Sequence, residues 1–97
     1  MAYSFISRFE IKPDRADRFT ALCREMEAHV AEAEPETLYF KFYKLDQPNM
    51  FAVIESFPSP EADAAHQQHP KAQPIIQEMI GCMGEGGYVR EMLHDLG

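Results

Sequence analysis

The spacing of apolar residues changes period along this chain. The order of those changes constrains the fold more than any other feature. Residues 3–11, YSFISRFEI, alternate: Tyr3, Phe5, Ser7, Phe9 and Ile11 project one way, and Ser4, Ile6, Arg8 and Glu10 the other. A side-chain period of two predicts a strand. From residue 13 the period lengthens. Pro13 suits a first helical turn, and Asp14 and Asp17 favour its positive end. Phe19, Leu22, Cys23, Met26 and Val30 then recur at helical spacing. Pro35 predicts that the helix stops near Glu34. Residues 36–45 and 50–57 alternate again around the turn sequence DQPN at 46–49, which predicts an antiparallel hairpin. Pairing Leu45 with Met50 sets Phe40 opposite Glu55 and Phe42 opposite Val53. Leu38, Phe40, Phe42, Phe51, Val53, Glu55 and Phe57 then share one face.

Ser59 is a good N-cap and Pro60 a good first helical residue, so a short helix is expected over 60–69, ended or bent by Pro70. A further helix is expected over 74–83, with Ile75, Ile76, Met79 and Ile80 inward. GEGG at 84–87 reads as its stop, and YVREML at 88–93 as a last strand. The order is β-α-β-β-α-β with the second helix in two pieces. It predicts an α+β, ferredoxin-like fold: an antiparallel sheet with its helices on one face.

A chain of 97 residues is expected to form one domain, 1–97, with a small core. Phe5 and Ile6, Phe42 and Tyr43, and Val53 and Ile54 put large apolar side chains on both faces of their strands. Helices cover only one face, so the other is expected to pack against a second copy in a homodimer. A net charge of −7 argues against nucleic acid and against an anionic membrane surface. The first residues, MAYSFISRFEIKPDR, lack a basic start followed by an apolar run, and no apolar run approaches the roughly 20 residues of a membrane span. The expectation is a cytoplasmic protein with Cys23 and Cys82 as reduced thiols.

The chemistry-bearing stretch is EADAAHQQHP, residues 61–70. On a helix, Ala62, Ala65, His66 and His69 form one stripe, which points His66 toward the crevice between helix and sheet. The two histidines are spaced i, i+3, whereas a helical zinc pair is usually i, i+4. His29, Asp63, Glu55 and His94 are candidate third ligands, but none stands at a metal-type spacing. No metal and no bound cofactor are therefore expected. A histidine in an apolar crevice can take a proton from a phenol or an enol; it can equally be a core histidine bonded to backbone. Glu55 is the one acid among Phe40, Phe42, Val53 and Phe57. It either forms an ion pair with Arg8, Lys41, Lys44 or Arg90, or orients His66 or a substrate hydroxyl.

The first strand, IKPDRADRF leading into a helix, and TLYFKFYK…FAVIESFPSPEADAAHQQHP resemble the antibiotic biosynthesis monooxygenase family. The family's aromatic in the second strand, its E-x-aromatic in the third and its A-x-x-A-H in the next helix appear here as Phe40, Glu55-Ser56-Phe57 and Ala62-Asp63-Ala64-Ala65-His66. The resemblance implies a homodimer whose ferredoxin-like subunits join their sheets in a dimeric α/β barrel. It further implies oxidation of a small aromatic, polyphenol or quinol substrate by molecular oxygen without metal or flavin. His66 would be the catalytic base or hydrogen-bond donor, and Phe40, Phe42, Glu55 and His69 would bind substrate. The alternative is a dimeric ligand-binding or stress-related module that uses the same pocket without chemistry. Haem-degrading relatives pair histidine with asparagine and tryptophan. This chain has no tryptophan, and its one asparagine, Asn49, falls in the hairpin turn, which argues against haem degradation.

Overall fold

The structure, a computed structural model, describes residues 2–97. Its elements are strand β1 (Tyr3–Ile11), helix α1 (Ala16–Ala33), strands β2 (Tyr39–Lys44) and β3 (Met50–Phe57), helices α2 (Pro60–Gln68) and α3 (Ala72–Gly81), and strand β4 (Met83–Leu93). The four strands form one antiparallel sheet in the order β2-β3-β1-β4, the ferredoxin-like arrangement. A turn of 3₁₀ helix at Pro13–Arg15 leads into α1.

The hairpin register is the expected one. Phe40 lies opposite Glu55 and Phe42 opposite Val53, and the Leu45 N–H donates to the Met50 carbonyl at 2.9 Å. Asn49 closes the turn in the left-handed region, at φ 63°, which asparagine tolerates better than most residues. The expected strand over 36–45 is shorter at both ends, however. Leu38, expected on the core face, precedes β2 and is exposed.

The helices pack on the sheet face that carries Phe5, Phe9, Phe51, Val53 and Phe57. The α1 stripe of Phe19, Leu22, Cys23, Met26 and Val30 is buried there, as are Ile75 and Met79 of α3. Phe19 sits at the centre, with ring centroids 5.0 Å from Phe51 and 5.7 Å from Phe9. The Ser59 hydroxyl caps α2 by accepting the Ala62 N–H at 3.2 Å. Both cysteines are free and buried, and burial pushes the Cys23 thiol up to about 12.

Three local expectations are corrected. The third helix spans Ala72–Gly81 rather than 74–83, and Ile80 on it is half exposed. The buried face of α2 carries Asp63 and His66, while Ala65 faces solvent: a nine-residue helix presents only a narrow stripe to the sheet. GEGG is not a stop. β4 begins at Met83 and runs through it, with the Glu10 side chain of β1 lying over Gly84 and Gly86. Phe9 pairs with Tyr88 and Ile11 with Met83, so residues 84–87 bulge opposite Glu10, whose carboxylate accepts the Gly86 N–H at 3.2 Å. Gly87, at φ 59°, takes the left-handed conformation that the bulge requires.

Candidate active site

The inner sheet face and the three helices line a half-open cavity of about 320 Å³, within the range of small-molecule sites. Its walls are mostly apolar: Phe9, Phe40, Phe42, Val53, Met79 and Tyr88. Its polar groups are Glu55, His66 and Arg90, with Gln67, Gln73 and Gln77 contributed by α2 and α3. The sequence therefore places four of its site residues together, Phe40, Phe42, Glu55 and His66. Period-two alternation points the first three inward, and the A-x-x-A-H stretch of α2 lays His66 over them. The His66 ring stands 5.3 Å from Phe40 and 5.7 Å from Phe57, centroid to centroid. His69 lies elsewhere. It ends α2, its Nδ1 accepts the Lys71 N–H at 3.1 Å, and its ring meets His29 edge-on at 4.6 Å.

The partner of His66 is a residue that sequence reasoning took only as a helix end. Glu34 is the C-cap of α1; its N–H donates to the Val30 carbonyl, and Pro35 turns the chain away. This turns the carboxylate under α2, where His66 Nδ1 lies 2.8 and 2.9 Å from its two oxygens. His29 Nε2 reaches the same carboxylate at 2.6 Å. All three side chains are about nine-tenths buried. One signal was available. An acid at a helix C-terminus faces the negative end of the dipole, and such a carboxylate needs donors from elsewhere in the fold.

A carboxylate against Nδ1 fixes the imidazole tautomer. Nδ1 holds the proton and donates it to Glu34, which leaves the Nε2 lone pair free. Among the described residues the side-chain hydrogen bonds of His66 engage only Nδ1. In the neutral imidazole Nε2 is thus an acceptor, and His66 lines the mostly apolar chamber, the arrangement of a general base.

Glu55 does not orient His66, and it is not the partner of the nearest cation. Arg90 stacks over the Phe5 ring at 3.7 Å and donates to Asp63 at 3.2 Å. Burial pushes the Glu55 carboxyl up to about 8; the Asp63 and Glu34 charges add to this and Arg90 opposes it. At neutral pH Glu55 is therefore largely a neutral carboxylic acid, able to donate a hydrogen bond into the cavity. Asp63, offered by the sequence only as a remote metal ligand, is the buried acid that holds Arg90 in place.

Residues 2–78 match the family model for antibiotic biosynthesis monooxygenase. The chain belongs to that family. The fold also agrees with solved structures. A candidate antibiotic biosynthesis monooxygenase from Caulobacter crescentus matches with a TM-score of 0.88 at 20% identity, over 99% of this chain and 91% of its own. Another structure, named simply as antibiotic biosynthesis monooxygenase, gives 0.86 at 19% over the whole of both chains. Rv0793 from Mycobacterium tuberculosis gives 0.86 at 18%, over 100% of this chain and 97% of its own. At such identities the likeness is one of fold. No match to a curated protein was found. Among the described residues no helix of this family member is long and apolar enough to cross a membrane.

Proposed function

We propose that this chain is a cofactor-independent monooxygenase acting on a small aromatic substrate of the polyphenol, quinol or anthrone class. The observation that carries the reading is the Glu34–His66 pair, with Nε2 of His66 free at the wall of an apolar cavity. Phe40 and Phe42 hold the flat ring. His66 Nε2 takes a proton from the substrate's phenol or activated methylene. The resulting anion is electron-rich enough to reduce molecular oxygen, and the neutral Glu55 donates to a substrate oxygen. Carbon–oxygen bond formation gives a hydroperoxide. Loss of the remaining proton on that carbon with O–O cleavage gives a carbonyl and water. One O₂ is consumed per substrate methylene oxidised, and the proton on His66 leaves with the water. The apolar walls limit the water around the anion.

The outer sheet face supports the dimer. Tyr39, Tyr43, Ile6, Ile54, Val89 and Leu93 lie there, with Val89 64% exposed and Tyr39 and Leu93 each 43%. A second copy packed sheet to sheet would cover this patch and form the dimeric α/β barrel. The whole chain, 1–97, acts as one cytoplasmic domain in this reading.

The test is oxygen uptake by chelator-treated protein with anthrones and hydroquinones. Turnover is expected, with His66→Ala slower by at least about 100-fold while the fold survives. A variant that turns over at the wild-type rate removes His66 as the base. Ligand binding without oxygen uptake instead supports a binding module that shares the same pocket.

A further inference from the structure

We propose that His29, Glu34 and His66 form a binding site for a divalent transition-metal ion of the zinc or cobalt class, and that loading it switches off the base. Three donor atoms, His29 Nε2, a Glu34 carboxylate oxygen and His66 Nδ1, lie within 4.8 Å of one another. Two imidazoles and one carboxylate are a complete protein ligand set for zinc with open positions left for water. The donors come from the C-terminal part of α1, its C-cap and α2, all fixed by packing, so the site needs little ordering.

A second cavity of about 360 Å³ is lined by Glu27, Glu34, Thr37 and Tyr39. Its two acids, Glu27 and Glu34, favour a cation over an anion. An ion held by the three donors would occupy Nδ1 of His66 and leave Nε2 free.

The consequence follows from the proton count of a neutral imidazole, which carries one N–H. In the metal-free protein that hydrogen is on Nδ1, against Glu34. A metal ion on Nδ1 moves it to Nε2, and the same exchange occurs in the opposite sense on His29. No net proton is lost, but Nε2 of His66 becomes a donor and can no longer accept a substrate proton. The binding half of the inference stands on geometry alone; the switching half rests on the base assignment made above.

The test uses the full chain, freed of metal by chelation, with zinc and cobalt(II) ions as probes. Calorimetric titration is expected to give one ion per chain. Cobalt(II) is expected to show the intense visible bands of a low-coordinate site with nitrogen and oxygen ligands. His29→Gln and His66→Gln are each expected to weaken binding at least about 10-fold, with unchanged circular dichroism. Proton–nitrogen correlation spectra of the zinc-loaded protein are expected to move the His66 N–H from Nδ1 to Nε2. Wild-type protein that takes up no ion, or binding unchanged in both variants, overturns the site. An ion that binds without moving the His66 hydrogen, or that raises oxygen uptake, overturns the switch. None of these binding and spectral readings requires turnover, so failure of the monooxygenase reading is seen separately.

Discussion

Replacing Glu55 by glutamine tests how the cavity treats charge. Glu55 is 8% exposed, and its carboxyl is held up at about 8 against an ordinary 4.5. Desolvation is the main cause, followed by the Asp63 charge; Arg90 works the other way but is taken up by Asp63. A carboxyl that keeps its proton in the folded state stabilises the fold fully below its unfolded pKa, and that contribution is lost as pH rises through the folded pKa. Between about pH 4.5 and about 8 the unfolded chain releases this proton while the native protein holds it. Stability then falls by about 1.4 kcal/mol per pH unit from this group alone. Glutamine has the shape of the protonated acid and does not titrate. Urea denaturation of both proteins at about pH 5.5 and about pH 7.5 isolates the effect, since every other titrating group is common to both. Glu55→Gln is expected to gain about 2–3 kcal/mol relative to wild type over that interval. A relative change below about 0.5 kcal/mol, against that expected slope, would show that the carboxyl is charged in the native protein and that its donor role is wrong.

The other predictions concern the same cavity and the sheet beneath it. Asp63→Asn removes a charge that repels Glu55 and frees Arg90 to pair with it, so the Glu55 transition seen by carboxyl NMR is expected to move to lower pH; an unmoved transition means that the Asp63 charge does not act on Glu55 and that Arg90 does not reach it. Phe19 is fully buried against Phe9, Phe42 and Phe51, so Phe19→Ala is expected to cost about 3–5 kcal/mol in urea denaturation. A cost under about 1 kcal/mol would mean that the core collapses around the gap. A Cβ added at Gly84 would meet the Glu10 carboxylate at 2.6 Å. That carboxylate is the free end of an exposed side chain, so Gly84→Ala is expected to cost little in melting temperature; a large loss that Glu10→Ala relieves would mean that the carboxylate is held in place.

The regular part of the fold was legible because its signals are local. YSFISRFEI, the hairpin around DQPN and the α1 stripe each bury one face, and each face can be read from the spacing of apolar residues. The hairpin register followed as well, since a short turn leaves little freedom in which residues pair. Phe40, Phe42, Glu55 and His66 were brought to one cavity for the same reason. The failures share a cause. Nothing within residues 84–87 reveals that Glu10 will fill the space above them, and glycines that permit close approach look the same in a sequence as glycines that end a helix. Glu34 and His66 are 32 residues apart, and neither one's surroundings in the chain name the other.

The sequence by itself determined which stretches become strand or helix, which faces turn inward, and that a histidine would lie over an aromatic sheet. Those outcomes follow from the period of each segment and from short-range capping and turn chemistry. Only the tertiary structure decided the protonation chemistry: that Glu34 rather than Glu55 holds His66, that His29 shares the same carboxylate, and that burial, with Arg90 serving Asp63, holds the Glu55 carboxyl up at about 8. Charge and tautomer depend on burial and on the few ångströms between groups from different elements, and packing alone sets those distances.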